Sequence, residues 1–175
     1  GSTFPVIVVP YNGYGCVDTL YAKLNDSLSV TSRAGRDTLS CNLNPVPIGD
    51  NTIPGLVYSW SPVTGLSDPK ISNPLAAPDK TTSYILTTSH DGGGCRSDDT
   101  VLVTASVIDS SLRLTGNSAF CSSSSDSAVL HVQPTKRIQW YNDGGLIAGA
   151  NGINYRVTKS GSYDAWLINN EGCSL

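Results

Sequence analysis

An internal repeat is the feature that most constrains the fold of this chain. Gly-Cys pairs recur at nearly equal intervals, ending at Cys16, Cys95 and Cys173. A second pattern, a Cys followed at a fixed distance by a Trp, recurs with almost the same period, as Cys41 with Trp60 and as Cys121 with Trp140. A period of roughly 80 residues exceeds those of solenoid repeats and fits small β-sandwich domains strung in tandem.

The phase of the repeat predicts where each module begins and ends. Residues 1–24 are expected to form the C-terminal hairpin of a preceding module, and residues 25–107 a complete module. Residues 108–175 are expected to form a further module that lacks its last strand. The unpaired strand edge could accept a strand donated by another chain, with residues 16–24 as the donor. The simpler alternative is a piece of a longer array.

The composition favours strands and turns over helices. Hydrophobic residues make up 39% of the chain, which is enough for packed cores. Charged residues make up 14%, below the roughly 25% of an average domain, and Ser, Thr, Asn, Gly and Pro replace them. Residues 99–107 alternate, with Val101, Val103, Ala105 and Val107 on one face, which is typical of a half-buried strand. We therefore predict an all-β chain.

Charge and hydropathy exclude two classes of partner. The net charge is −3 and there is no basic patch, so the sequence predicts no nucleic-acid binding. No apolar run approaches the roughly 20 residues of a spanning helix, so it predicts no membrane insertion. Five Cys residues in a strand-rich chain of low charge favour an oxidising compartment.

The order Cys, Trp, Cys resembles the immunoglobulin signature, in which a Trp on a middle strand lies between two bonded Cys residues. The resemblance implies tandem immunoglobulin-like sandwiches with two disulfides, Cys41 to Cys95 and Cys121 to Cys173. It leaves Cys16 unpaired here, either because its partner lies upstream or because it is a free thiol. The alternative to the disulfides is a metal-binding or redox role for the cysteines.

The tryptophans of this pattern, Trp60 and Trp140, are expected in the two cores, with sugar stacking as the alternative. The pattern departs from antibody domains in one respect. Cys95 follows Tyr84 by eleven residues and Cys173 follows Tyr163 by ten, whereas in antibody domains the second Cys follows the Tyr by two residues. Each disulfide is therefore expected to join one end of its sandwich and not to cross the centre.

Three segments resemble the PKD-like and immunoglobulin-like repeats of large Bacteroidetes surface proteins, which include gliding-motility adhesins and other cargo of the type IX secretion system. They are residues 33–41 (RAGRDTLSC), 58–69 (YSWSPVTGLSDP) and 81–87 (TTSYILT). The match covers residues 33–107, and the last module is similar to a looser variant. The resemblance implies display at the bacterial cell surface, adhesion or spacing, and no catalytic residues.

Asp followed by Ser or Thr and an apolar residue is similar to Bacteroidetes O-glycosylation acceptors. The alternative is that Asp-Thr simply begins strands in this chain. The acceptor residues would be Thr19, Ser27, Thr38, Thr100 and Ser127.

A glycine-rich turn gives the one candidate metal site. Asp91, Asp98 and Asp99 lie around three consecutive glycines and could bind Ca²⁺ through carboxylate oxygens. The alternative is a solvated turn. His90 and His131 show no ligand spacing, and no cofactor is predicted.

Two functions remain open. One is a non-catalytic stalk or adhesin that contacts neighbouring modules of its own chain, with surface glycans or other cell-surface proteins as further partners. The other is a carbohydrate-binding accessory module of a secreted glycoside hydrolase. An enzyme is not expected, because the chain has two His residues and no G-x-S-x-G motif. The candidate aromatic residues for a sugar platform are Tyr11, Tyr14, Tyr141 and Tyr155.

Overall fold

A computed structural model describes residues 2–8, 18–24, 29–92, 94–119 and 127–175. These ranges form strands, turns and bends, and none of their residues lies in a helix long and apolar enough to cross a membrane. The strands form a separate hairpin, β1 (Ser2–Val8) with β2 (Asp18–Leu24), and two sandwiches. The first sandwich contains β3 (Thr38–Cys41), β4 (Val46–Pro47), β5 (Leu56–Ser61), β6 (Leu75–Ala76), β7 (Thr82–His90) and β8 (Arg96–Ser106). The second contains β9 (Leu112–Thr115), β10 (Ala128–Val132), β11 (Arg137–Asn142), β12 (Gly145–Leu146), β13 (Asn154–Val157) and β14 (Tyr163–Ile168).

The first sandwich has the strand topology of an immunoglobulin-like fold. Its larger sheet has the order β3-β8-β7-β5, and its smaller sheet pairs β4 with β6. Strands β5, β7 and β8 are antiparallel neighbours, as are the C, F and G strands of immunoglobulin domains, while the short β3 runs parallel to β8. Alternation along β7 and β8 places Tyr84, Leu86, Val101 and Val103 in the interior.

The second sandwich also consists of two sheets, each of three strands. One sheet has the order β13-β10-β9 and the other the order β12-β11-β14. Strand β14 pairs with β11 over its whole length, and the bridge from Ile168 to Ser174 begins a further pairing on its other edge. The predicted all-β class of tandem immunoglobulin-like sandwiches is confirmed by these strand orders.

Each sandwich has a core centred on one tryptophan of the repeat. Trp60 on β5 is 2% exposed, and its indole N–H donates to the carbonyl of Ile71 at 2.9 Å. Trp140 on β11 is fully buried, and its N–H donates to the carbonyl of Gly152 at 2.8 Å. Both rings therefore contribute apolar area without leaving a buried donor unpaired. The first core draws on residues 34–103 and the second on residues 108–173.

Candidate functional site at the junction of the two sandwiches

A disulfide joins the first sandwich to the second. Cys41, the last residue of β3, is bonded to Cys173, which lies in the turn after β14. The two residues are 132 positions apart in sequence, and their Cα atoms are 5.4 Å apart. The bond therefore links two modules and does not close one of them.

The predicted pairs Cys41–Cys95 and Cys121–Cys173 are wrong, because both Cys41 and Cys173 have another partner. Strand direction gives the physical reason. Cys41 lies opposite Ser106 at the far end of β8, whereas Cys95 immediately precedes β8. The 11 residues of β8 span about 35 Å at about 3.3 Å per residue, well beyond the roughly 7 Å limit for the Cα atoms of a disulfide. Cys95 is exposed and is bonded to no cysteine among the described residues. Cys16 and Cys121 lie outside those residues.

Asn42 adds three hydrogen bonds next to the disulfide. Its side-chain amide donates to the carbonyl of Ser174 at 3.1 Å and accepts from the backbone N–H of Ile108 at 3.0 Å. Its own backbone N–H donates to the carbonyl of Ser106 at 2.8 Å. The residue has a φ of 52°, a left-handed conformation that Asn tolerates better than most residues. One residue thus binds the end of the first sandwich, the linker and the second sandwich.

Ser106 extends this network from the end of β8. Its hydroxyl donates to a carboxylate oxygen of Glu171 at 3.3 Å and accepts from the side-chain N–H of Asn169 at 2.6 Å. The other end of the Asn169 amide accepts from the backbone N–H of Cys173 at 2.9 Å. Asn169 therefore shapes the turn that carries Cys173 and also binds the neighbouring sandwich.

Apolar contacts fill the space between these polar groups. Leu39 and Cys41, both from β3, pack against the core of the second sandwich. Ile108 from the linker is 5% exposed and belongs to that core, as does Cys173. The second core is therefore closed at this end by residues of the first sandwich and of the linker, so the two sandwiches share packing as well as a covalent bond.

The three carboxylates of the predicted calcium site serve other contacts. Asp91 pairs with His90 at 2.9 Å, and Asp98 with Arg96 at 3.4 Å. Asp99 accepts from the backbone N–H of Ala34 at 2.8 Å. Among the described residues, no group of three or more His, Cys, Asp or Glu side chains could hold a metal ion. The structure thus does not bring Asp91, Asp98 and Asp99 together as ligands.

The candidate glycosylation residues differ in their surroundings. Thr100 is exposed on β8, and Thr38 is half-buried on β3. Ser127 is half-buried, and its hydroxyl accepts from the Arg156 guanidinium at 2.8 Å. Thr19 lies on β2, and Ser27 lies outside the described residues. Of the three whose burial is described, Thr100 is the most accessible to a modifying enzyme.

Of the four tyrosines predicted as a sugar platform, the structure describes two, Tyr141 and Tyr155, and both are half-buried. Tyr155 lies between Trp140 and Tyr163, with ring centroids 5.7 Å from each, so it extends the second core. Tyr11 and Tyr14 lie outside the described residues, and Tyr141 is half-buried on β11. The sequence interpretation missed Trp166, whose side chain is 45% exposed on β14. Its position between the inward residues of an alternating strand was the available signal.

No family model and no curated protein matches the chain. It is similar to the titin Ig tandem domains A164-A165 (10% identity, TM-score 0.34, 82% of this chain and 90% of that chain). It is also similar to the titin domains z1z2 in complex with telethonin (14%, 0.32, 79% and 89%) and to the N-terminal four Ig domains of Dscam1 isoform 7.44 (12%, 0.35, 90% and 48%). The chain thus spans about half the length of the Dscam1 structure. Since these TM-scores are below 0.5, the fold assignment rests on strand topology alone.

Proposed function

We propose that the chain is a non-catalytic stalk segment of a large bacterial cell-surface or secreted protein, acting in surface attachment or gliding motility. Residues 25–107 and 108–175 would be its two modules, with residues 1–24 belonging to a preceding one. The single observation that carries the proposal is the bonded junction between Cys41 and Cys173, because a covalent bond between two sandwiches would limit their motion relative to each other.

Linker length supports a stiff junction. Five residues, 107–111, separate the end of β8 from the start of β9, and Ile108 among them is buried. A flexible linker exposes its residues and makes few contacts. Here the linker is held at its buried side chain and by the bond from its backbone to Asn42. Stiff, short-linked modules are suited to hold a binding domain away from a cell surface.

Small-angle X-ray scattering with and without reductant tests the stalk. We expect reduction of the disulfide to broaden the distribution of intramolecular distances, because the sandwiches can then separate at the linker. A variant with Cys41→Ser and Cys173→Ser should scatter like the reduced protein in both conditions. An unchanged distribution on reduction would contradict a stalk that owes its stiffness to this bond.

The location and the adhesive role draw on the resemblance of residues 33–107 to Bacteroidetes surface repeats and on the presence of a disulfide, which is typical of oxidising compartments. Protease treatment of intact cells of the source bacterium tests them. We expect the protein to be cleaved at the cell surface. Full protection in intact cells, with cleavage only after lysis, would contradict surface display.

A second candidate function, carbohydrate binding, is favoured by the outer face of the second sandwich. Trp166 on β14 lies opposite Gln139 on β11, and Tyr141 lies two residues further along β11, opposite Asp164. An exposed aromatic ring beside amide and carboxylate groups is suited to stack on and bind a sugar.

A glycan array measures this second activity. We expect any specific binding to fall at least tenfold in Trp166→Ala. The matched control is Ile85→Ala, which removes a similarly exposed side chain, 46% accessible, from the corresponding strand of the first sandwich. Equal binding by both variants and the parent protein would exclude the Trp166 face as a sugar site.

A further inference from the structure

The end of the first sandwich that carries Cys95 resembles the end of the second sandwich that forms the junction. It is called the free end here because no described residue of another module packs against the core of the first sandwich. At the junction, the backbone N–H of Asn169 donates to the carbonyl of Cys173 at 3.0 Å, which closes the turn after β14. At the free end, the backbone N–H of His90 donates to the carbonyl of Cys95 at 3.4 Å after β7. The two Cys residues also occupy equivalent positions in the sequence repeat. A backbone hydrogen bond from the end of a strand to the carbonyl of a Cys thus recurs in both sandwiches, across four residues at Cys173 and five at Cys95. Cys173 is bonded to Cys41, whereas Cys95 is bonded to no cysteine among the described residues.

An open cavity lies at this free end of the first sandwich. It has a volume of about 570 Å³, and its lining includes Ile53, Pro54, Leu56 and His90. Ile53 is a large apolar residue, and its side chain is 52% exposed. The register of β5 with β7 pairs Leu56 with His90, so this turn and the Cys95 turn lie at the same end of the sheet. In the second sandwich, the equivalent end is closed by Leu39 and Cys41.

We infer that the free end of the first sandwich is a docking surface for another immunoglobulin-like module, which bonds covalently to Cys95. The module would present a strand that ends in the pattern of residues 39–41, an apolar residue two positions before a Cys. Its apolar residue would enter the cavity beside Ile53, and its Cys would bond to Cys95. The inference rests on the proposed stalk function. It adds that every pair of consecutive modules in the stalk is linked by one disulfide.

The hairpin of β1 and β2 supports this choice of partner. Its strands are antiparallel from Ser2 opposite Leu24 to Val8 opposite Asp18, as β7 and β8 are in the first sandwich. Cys16 aligns with Cys95 in the sequence repeat, so position 1 aligns with position 80. The hairpin therefore occupies the sequence position of the last two strands of a module that precedes the first sandwich.

The bond forms by oxidation of two thiols. Cys95 and the partner Cys each lose one proton and one electron, and a sulfur–sulfur bond forms between them. A disulfide oxidant, either an oxidoreductase with a disulfide at its active site or oxidised glutathione, takes up both electrons and both protons and becomes two thiols.

The full chain, extended at its N-terminus by a copy of its own residues 29–79, provides the test, since this copy completes the module that ends in β1 and β2. After oxidative refolding with glutathione, we expect peptide mapping without reductant to find Cys95 bonded to the added copy of Cys41. Replacing that added Cys by Ser should leave Cys95 open to alkylation. An unlinked Cys95, or a Cys95 bonded to any other cysteine, would overturn the inference.

A second measurement tests the packing independently of the bond. We expect Ile53→Asp to lower the melting temperature of the extended chain by about 4 °C or more relative to its effect on the unextended chain, where this side chain faces solvent. Equal shifts in the two chains would overturn the docking surface. Failure of both measurements would leave the scattering test of the Cys41–Cys173 junction unaffected, so the two proposals fail separately.

Discussion

At the scale of single residues, buried polar groups tie distant turns of the first sandwich together. Tyr84 near the start of β7 is fully buried, and its hydroxyl donates to the carbonyl of Thr64 at 2.7 Å. Burial first, and then the negative charge of Asp79, raise the pKa of Tyr84 above its usual value of 10.0. Tyr163 holds the equivalent position on β14 and donates to the carbonyl of Lys159 at 3.0 Å. Tyr163 resembles the tyrosine corner of immunoglobulin-like folds, in which the hydroxyl binds the backbone a few residues upstream, whereas the partner of Tyr84 lies 20 residues upstream.

Removing the Tyr84 hydroxyl should lower the free energy of unfolding at neutral pH and should also reduce its decline at alkaline pH. We expect Tyr84→Phe to lower the free energy of unfolding by about 1 kcal/mol at neutral pH, because one buried hydrogen bond is lost. Because the pKa of Tyr84 is higher in the folded than in the unfolded state, the protonated side chain stabilises the fold below pH 10. This stabilisation is lost as the pH rises through the folded-state pKa. Urea titrations between neutral pH and pH 11 should show a shallower alkaline decline in the variant. The same slope in both proteins would contradict this assignment.

Gly49 is a position where only glycine fits. Its φ is 81°, and a Cβ atom there would overlap the carbonyl oxygen of Ser72 and lie 3.0 Å from the ring of Trp60. We expect Gly49→Ala to lower the free energy of unfolding by about 3 kcal/mol through backbone strain and overpacking. Gly144→Ala is the matched control, because its φ is 74° and no atom lies within 4 Å. Urea denaturation should show a loss of only about 1 kcal/mol for the control.

At the scale of elements, aspartates join the first segment of the first sandwich to its last strand. Asp37, just before β3, accepts from the backbone N–H of Leu102 at 2.9 Å, and Asp99 on β8 accepts from that of Ala34 at 2.8 Å. The two bonds point in opposite directions across the same pair of neighbouring segments. Two of the Asp-Thr patterns in the sequence therefore have a structural role in edge pairing, whether or not the adjacent threonines are modified.

Removing one of these carboxylates should weaken the edge of the sheet. We expect Asp99→Ala to lower the free energy of unfolding by about 2 kcal/mol, because it removes a charged acceptor from backbone N–H groups. Asp98→Ala is the control, since Asp98 is exposed and contacts only Arg96 at 3.4 Å, and should change stability by less than about 0.5 kcal/mol. Thermal unfolding measures both variants. Equal losses of stability in Asp99→Ala and Asp98→Ala would contradict a structural role that is specific to Asp99.

At the scale of the whole molecule, the junction couples the stability of one sandwich to residues of the other. Leu39 lies on β3 of the first sandwich, yet it packs against the core of the second. The second core is completed by this contact, by the linker residue Ile108 and by the disulfide. Stability in such an array is a sum of module terms and interface terms between neighbours.

A charge at Leu39 should therefore destabilise the sandwich to which it does not belong. We expect Leu39→Asp to lower the opening free energy of β10 and β14 by about 2 kcal/mol, because it places a carboxylate against an apolar core. Native-state hydrogen exchange of those strands measures this effect. Leu43→Asp is the control, since Leu43 is 49% exposed beside the same strand. Unchanged exchange in β10 and β14 would contradict coupling through the junction.

Local patterning was enough to predict the all-β class, the long strand β8 and the two tryptophan-centred cores. These features depend on alternation and on residue type, and Trp60 and Trp140 lie where strand patterning and apolar burial place them. The same patterning also carried the signal for the exposure of Trp166, because Trp166 alternates with Ala165 and the buried Leu167 along β14.

Which cysteines meet depends on how the strands pack. A repeat places a Cys at equivalent points of successive modules, so the pairing of Cys41 with Cys95 and that with Cys173 are both consistent with the spacing. Strand direction separates them, because β8 carries the chain from Cys95 to the opposite end of the sheet, where Cys41 meets the next module. The spacing along the chain determines how often a Cys recurs, whereas the direction of the packed strands determines at which end of a sandwich that Cys lies.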